Sequence, residues 1–262
     1  MGEAFRIQLK NLSKSYPGIR ALKDFNFELA PGEVHCLCGE NGSGKSTFIK
    51  IISGVEKPDP GAEIWVDGTL CAHHTSASAI ASGIQVIYQD LSLFPNLTVR
   101  ENLALNMEVA AGRKFVNKKR MNRIAEAAVA KLGLDIDLDE TVENLTFGMR
   151  QMIAISRALL NDAKLIIMDE PTTALTKREV KTLFKLIKQL QGQGIAVLFV
   201  SHKLDEVFEI AERFTIFRNG KNVATGNTKD LNQDKFTFYM TGREIVSTRF
   251  EYTAENAPVV DR

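Results

Sequence analysis

The run Gly39-Glu40-Asn41-Gly42-Ser43-Gly44-Lys45-Ser46-Thr47 satisfies the pattern GxxxxGK[ST]. It follows the apolar stretch VHCLC and precedes the helical-looking STFIKIISG, so it should join a buried strand to a helix. In that setting glycines let successive N–H groups turn inward on phosphate oxygens, and the helix start adds its positive end. Lys45 is then expected to reach the β- and γ-phosphates of a nucleoside triphosphate, and the Ser46 hydroxyl to coordinate Mg²⁺.

Carboxylates are the next requirement of such chemistry, and Asp169 and Glu170 supply a pair directly after the apolar run LIIM. Both should emerge at the carboxyl end of a buried strand, where open α/β sheets bind ligands. Successive strand residues point to opposite sides, which suits two tasks. Asp169 is expected to hold Mg²⁺, through water, and Glu170 to orient or deprotonate the attacking water. Gln89 after IQVIY and His202 after AVLFVS occupy two further strand ends, from which each could meet the γ-phosphate, the metal or the water.

A second anion-binding corner is written in ENLTFGMRQ, ahead of the helical run MIAISRALL. A hydroxyl at Thr146 and a glycine at Gly148 flank the mouth of a helix, whose first N–H groups lack partners and carry about half a positive charge. One chain with one phosphate cradle has no evident use for it.

The elements needed to position these groups can be read along the chain. FRIQLKNL, FNFELA, AEIWVDG and IQVIY read as strands, SASAIASG as a short helix. From about residue 98 to 160 the pattern is helix after helix, with NKKRMNRIAEAAVAKLG carrying apolar residues at 3–4 spacing, as in an inserted helical subdomain. AKLIIMD and GIAVLFVSH flank the helical KREVKTLFKLIKQLQGQG, a βαβ crossover that implies parallel strands. RFTIFRNGKNVATG reads as a hairpin turning at Asn219-Gly220, and a short helix is expected near Gln233–Met240. Residues 1–245 read as one domain of the α/β class, and 246–262 as a polar tail or linker.

Bulk composition narrows the partners. The 262 residues are 44% hydrophobic and carry 33 basic against 32 acidic side chains, a formal charge of +1, so no global field steers the chain to nucleic acid. No apolar run reaches the ~18–20 residues of a membrane helix, and MGEAFRIQLK lacks the apolar core of a signal peptide; a cytosolic location is expected. Cys36, Cys38 and Cys71 show no paired metal spacing and read as core thiols. GRKFVNKKR, Gly112–Arg120, reads as a solvated basic face, and His73-His74 as exposed loop residues.

Taken in order, these pieces resemble the ATP-binding cassette of ABC transporters over nearly the whole chain. GENGSGKST is similar to its Walker A segment, Gln89 to the Q-loop, LTFGMRQ to the signature, LIIMDE to Walker B with its glutamate, TALT to the D-loop and His202 to the switch histidine. Tyr16, in KSYPGIRAL, matches the aromatic that stacks on adenine. DEPTTALT, SHKLDEVFEIAERFTIFRNG and MTGRE further resemble the ATPase subunits of bacterial monosaccharide importers of the ribose, galactose, arabinose and xylose type, in which two cassettes usually lie in tandem; this sequence resembles the first. Two departures stand out: the usual LSGGQ is Leu145-Thr146-Phe147-Gly148-Met149, and Thr176 replaces the D-loop aspartate.

The resemblance implies a P-loop NTPase core with a parallel sheet, an antiparallel β subdomain and an inserted helical subdomain. It implies ATP and Mg²⁺ as ligands, hydrolysis by Glu170 with His202, Lys45 and Gln89, and metal held by Ser46, Gln89 and Asp169. It also answers the riddle of the second corner: Thr146, Phe147, Gly148 and Met149 would face the ATP held by a second cassette, in a homodimer or a tandem half. Permease subunits would dock near DLSLFPNLTVR, where Leu91, Leu93, Phe94 and Leu97 read either as a gripping surface or as local packing. An extracytoplasmic sugar-binding protein would act indirectly, and the chain would sit peripherally on the cytoplasmic face of the inner membrane. Rival readings are a soluble ABC ATPase outside transport, and a weakly active cassette that needs a different partner cassette.

Overall fold

A computed structural model describes residues 5–110, 112 and 117–243. Its strands are β1 (Ile7–Tyr16), β2 (Ile19–Leu29), β3 (Val34–Gly39), β4 (Glu63–Val66), β5 (Thr69–Leu70), β6 (Ile84–Ile87), β7 (Leu165–Asp169), β8 (Ala196–Val200), β9 (Arg213–Arg218) and β10 (Lys221–Asn227). Its helices are α1 (Lys45–Ile52), α2 (Ser76–Ala81), α3 (Val99–Ala110), α4 (Lys118–Leu132), α5 (Phe147–Leu160), α6 (Lys177–Gly192), α7 (Leu204–Ile210) and α8 (Gln233–Thr241). The expected tail from 246, residues 113–116 of the basic run and the first four residues lie outside the described residues.

The strands form two sheets. A four-stranded antiparallel sheet has the order β2-β1-β4-β5, and a six-stranded sheet has the order β10-β9-β3-β8-β7-β6. In the larger sheet β3, β6, β7, β8 and β9 run parallel and only β10 is antiparallel, closing the hairpin. Every residue of β3 and β8 is buried, as parallel strands covered on both faces must be. The turn of the hairpin places Asn219 and Gly220 at φ 52° and 76°, the left-handed pair that a two-residue connection of matching twist requires.

Parallel strands bring their carboxyl ends to one edge. Gly39 ends β3, Gln89 lies just beyond β6, Asp169 ends β7 and His202 lies just beyond β8. Topology therefore gathers onto one rim residues that the sequence scatters over 163 positions of numbering, from 39 to 202.

Packing holds that rim rigidly. Phe25, Phe48 and Phe217 are essentially without exposure and form an aromatic cluster with Phe27. Phe25 stacks on Phe217 at 4.4 Å and meets the edge of Phe48 at 5.0 Å, so the antiparallel sheet, α1 and β9 are joined directly beneath the cradle. Truncation of Phe48 to alanine should therefore cost about 3–5 kcal/mol, read as a lower denaturant midpoint at unchanged slope.

Beside this cluster lies a buried polar network. His35, fully buried, places Nδ1 2.8 Å from Glu33 Oε1 and Nε2 2.8 Å from Thr215 Oγ1, with Arg213 Nη1 3.3 Å from Glu33. Burial pushes the His35 pKa below its ordinary 6.5 despite the carboxylate, so the neutral ring donates from Nδ1 and accepts at Nε2. Below pH 6.5 the unfolded chain then binds the proton that the folded chain refuses. This contribution to stability is present above pH 6.5 and is lost progressively as pH falls below that value toward the lowered folded pKa. Burial alone would raise the Glu33 carboxyl, but His35, the Ala30 N–H and Arg213 hold it below its ordinary 4.5, and its share is lost further down in the same direction. The denaturant midpoint should fall between pH 7 and about 5.5, less steeply in a His35→Gln variant.

The helices between β6 and β7 form a layer of their own around Val99, Leu103, Ala125, Ala128, Val142, Leu145 and Ile153. α5 serves two cores: Ile153 enters this cluster, while Ala154, Ile155, Ala158 and Leu159 pack on the main sheet. Its 3.6-residue period presents the two apolar faces.

One sequence expectation needs correction here, one element was not foreseen and one open reading narrows. Nothing in the pattern announced α7, whose span of Leu204–Ile210 follows an N-cap, Lys203, that makes no side-chain capping bond. His74 is not an exposed loop residue; it is half-buried, with Nε2 2.6 Å from the Ile52 carbonyl at the end of α1, while His73 is exposed. In the proposed docking segment Leu91 is buried and Leu93 half-buried, which leaves Phe94, 47% exposed, as its outward apolar group. Cys36 and Cys38 lie in the core at 3.5 Å, and burial pushes the Cys36 thiol up.

Candidate nucleotide site

α1 begins in an unusual way. Its N-cap, Gly44, sits at φ 113° and gives no side-chain cap, so the first N–H groups of the helix have no acceptor from a capping side chain. A Cβ on Gly44 would lie 2.7 Å from the Ala21 carbonyl, so the loop can pass there only as glycine. Gly220 is held the same way, 2.6 Å from that carbonyl, which brings the β9–β10 turn against the cradle.

Lys45 is buried and spans the loop from inside, donating to the carbonyls of Gly39 at 2.5 Å and Glu40 at 2.9 Å. Burial lowers its pKa, while Glu170 and Asp169 oppose the shift, so the ammonium and the two carboxylates belong to one electrostatic group. Ser43 Oγ is buried without a hydrogen-bond partner.

The cradle opens on a cavity of about 900 Å³. Asn41, Gly42, Gly44, Lys45, Ser46 and Thr47 line one part of it, and Gln89, Asp169 and Glu170 another. Tyr16 lines it as well, with its hydroxyl 3.4 Å from Glu56 and the Lys14 ammonium 5.2 Å from the ring centre. Gly39, Glu40 and Ser43 shape the loop without lining the cavity, and His202 reaches it through Glu170. Sequence reasoning missed Ile19, Arg20, Lys23 and the turn Asn219-Gly220, all of which line it. The available signal was the Asn-Gly turn itself, a tight corner that can approach another backbone closely.

At the acid edge, Glu170 is not the next strand residue that alternation suggests. The ladder ends at Asp169, paired with Val200, and Glu170 turns into the left-handed region at φ 46°, with its N–H donated to the Val200 carbonyl at 3.1 Å. A non-glycine residue held there marks a backbone constrained by its surroundings. The turn sets Glu170 Oε1 3.4 Å from Nδ1 of His202. Asp169 is pushed up by burial and by Glu170, and Lys45 opposes the shift. The segment after Gln89 is similarly constrained: Leu91 and Ser92 have φ of 61° and 46°, and Arg157 of α5 donates to both carbonyls, at 3.2 and 2.9 Å.

The second corner is formed apart from this cavity. Thr146 is the N-cap of α5, its Oγ1 accepting from the Met149 N–H at 3.2 Å. Met149 is 37% exposed, whereas Phe147 is half-buried against the main core. Gly148 packs on a residue that the sequence reading overlooked: a Cβ there would lie 2.5 Å from Glu179 Oε1. Glu179 also approaches the Thr146 hydroxyl at 3.4 Å and closes a capping box with Thr176, accepting from its N–H at 2.9 Å and its hydroxyl at 2.7 Å. The Thr176 N–H and hydroxyl hold the Glu179 carboxyl below its usual range. The start of α5 and the turn before α6 are thereby tied to one carboxylate.

The residues present fit a nucleoside triphosphate with Mg²⁺. An uncapped helix start and a buried lysine beside it are what an anion of several oxygens would satisfy. Ser46 and Asp169 offer oxygen donors to the same cavity. A cation here could draw on these oxygens together with phosphate and water, as Mg²⁺ does.

Fold and site together define an ATP-binding cassette. The family described as ABC transporter matches residues 22–173, and the chain belongs to it. Among curated proteins it is 41% identical over 91% of its length to a ribose import ATP-binding protein of Rubrobacter xylanophilus, of which it covers 48%. It is also 41% identical over 94% of its length to an arabinose import ATP-binding protein of Chromohalobacter salexigens, of which it covers 49%. The chain thus spans about half the length of these relatives. Among solved structures, the dimeric post-hydrolysis state of the cassette MJ0796 bound to ADP and Pi superposes with a TM-score of 0.71 at 26% identity, covering 85% of this chain and 98% of that one.

Proposed function

We propose that this chain is an ATP-hydrolysing cassette that energises import of a monosaccharide. The observation that carries the reading is the convergence of the cradle, Asp169, Glu170 and Gln89 on one cavity, with His202 against Glu170. Tyr16 stacks on the adenine, the N–H groups of Gly42 to Thr47 hold phosphate oxygens, and Lys45 neutralises the β- and γ-phosphates. Ser46, Gln89 and Asp169 would hold Mg²⁺, which would supply charge neutralisation to the triphosphate. Glu170 orients and deprotonates the attacking water, and His202 holds Glu170 and meets the γ-phosphate.

Thr146, Gly148 and Met149 act on the nucleotide of a second cassette, so that ATP joins two cassettes and its hydrolysis separates them. Phe147 serves this corner from behind, as packing. Residues 1–245 form the cassette, with a helical subdomain of about 98–160, and 246–262 are a polar tail or a linker toward a second cassette. Phe94 and its neighbours meet a permease, whose substrate arrives on an extracytoplasmic binding protein; the chain is peripheral at the cytoplasmic face. The names of the ribose and arabinose import relatives support a sugar as cargo.

The test is reconstitution with the permease and binding protein in lipid nanodiscs. ATPase activity should rise when the binding protein carries its sugar and should not respond to DNA or RNA. Stimulation by nucleic acid, with none by loaded binding protein, would favour the rival ABC ATPase outside transport.

A further inference from the structure

The two groups assigned to water activation and γ-phosphate contact stand on different segments. Glu170 follows β7 and His202 follows β8, and each segment leaves its strand as irregular backbone. One backbone bond, from the Glu170 N–H to the Val200 carbonyl at 3.1 Å, joins them at the strand ends. A second, stronger connection comes from α7.

Glu206, 7% exposed, points its carboxylate between the segments. Oε1 accepts from the Thr172 hydroxyl at 2.6 Å, and Oε2 accepts from the Ser201 hydroxyl at 2.5 Å. Thr172 is separated from Glu170 by Pro171 alone, and Ser201 immediately precedes His202. Lys203 encloses the cluster: its ammonium lies 3.0 Å from Glu206 Oε1 and 3.3 Å from Thr172 Oγ1, and its N–H is donated to Ser201 Oγ at 3.1 Å. A buried carboxylate is costly unless it is paired and hydrogen-bonded, and here a hydroxyl from each segment engages one oxygen while Lys203 adds a charge partner at Oε1.

We propose that Glu206 is a positioning residue for hydrolysis, setting the separation and orientation of Glu170 and His202 through Thr172 and Ser201. The inference rests on the assignment of Glu170 and His202 above. Two hydroxyl donors on two segments call for one acceptor with two divergent oxygens, and a carboxylate on the rigid turn of a helix meets that need. Glutamine can keep both bonds, accepting from one hydroxyl and donating to the other; alanine can keep neither.

The experiment compares Glu206→Ala, Glu206→Gln and Ser201→Ala in the full chain. Each is measured for steady-state ATPase, equilibrium binding of a fluorescent ATP analogue, thermal unfolding and crystal structure. Glu206→Ala should lower kcat by about 10- to 100-fold through misplacement of the pair. KM and nucleotide affinity should stay within about twofold, because the cradle is untouched. Glu206→Gln should restore most of the lost kcat, and the crystal structure of the alanine variant should show Glu170 and His202 beyond hydrogen-bond reach.

A merely structural role would lower the unfolding temperature of the alanine variant without changing kcat of the folded protein or the Glu170–His202 distance; that result overturns the proposal. If the alanine variant does not fold, Ser201→Ala carries the same comparison. If the chain alone turns over too slowly to measure, the distance between Glu170 and His202 decides. Full activity in Glu170→Gln would instead remove the assignment on which the inference rests, and so the two failures are distinguishable.

Discussion

Glu170→Gln is expected to bind ATP as tightly as the parent chain and to lose hydrolysis by about 10²–10⁴-fold, the range that one positioned general base supplies. The two side chains have the same shape, so the left-handed turn at residue 170 and the contact to His202 Nδ1 can persist. What changes is proton affinity: a carboxamide oxygen cannot take a proton from water at neutral pH. The cradle is unaltered, and removing a negative charge beside Lys45 and Asp169 relieves repulsion toward the incoming triphosphate. ATP should accordingly remain bound and unconsumed, and a closed ATP-bound pair should accumulate. Phosphate release under saturating ATP is the measurement; undiminished release would remove Glu170 from the role of base.

The second large effect separates the two anion sites. Lys45→Ala deletes a cation that sits inside the cradle, and hydrogen bonds to charged groups contribute about 1.5–3 kcal/mol, so affinity for ATP should fall about 10- to 150-fold. Thr146→Ala should leave the chain's own nucleotide bound and impair hydrolysis, because its hydroxyl belongs to α5, outside the cavity. Neither variant alone can build an intact composite site. In a mixed pair the cradle of the Thr146→Ala chain meets the corner of the Lys45→Ala chain, and one of the two sites is whole. Mixing should therefore restore turnover that neither protein has. Absence of recovery, with mixed pairs demonstrably formed, would mean that Thr146 serves its own chain.

Much of this site could be read from the sequence because its chemistry depends on local spacing. The cradle is a continuous string whose glycines, lysine and hydroxyl are close along the chain, and the parallel sheet follows from strand, helix and strand in succession. Asp169, Glu170, Gln89 and His202 were legible because each follows an apolar run, and parallel strands end on one side. Features built by distant backbone were not. Glu170 leaves the strand direction in a left-handed conformation, at φ 46°, which no alternation pattern encodes. Gly148 invited a reading as room for phosphate, yet in the folded chain it also makes room for Glu179, some thirty positions away. α7 is short and lacks a side-chain cap, so Glu206 carried no signal of its own. Ile19 enters the cavity because β1 and β2 extend as a long ribbon to its rim, a consequence of pairing rather than composition.

Whether the cradle and the acid edge form one nucleotide site can be measured directly. Equilibrium binding of ATP with Mg²⁺ to the chain, beside Lys45→Ala and Glu170→Gln, tests it without need of a partner. Saturable binding of one ATP per chain is expected, preserved in Glu170→Gln and strongly weakened in Lys45→Ala. Binding that ignores Lys45, or no saturable binding at all, would contradict it.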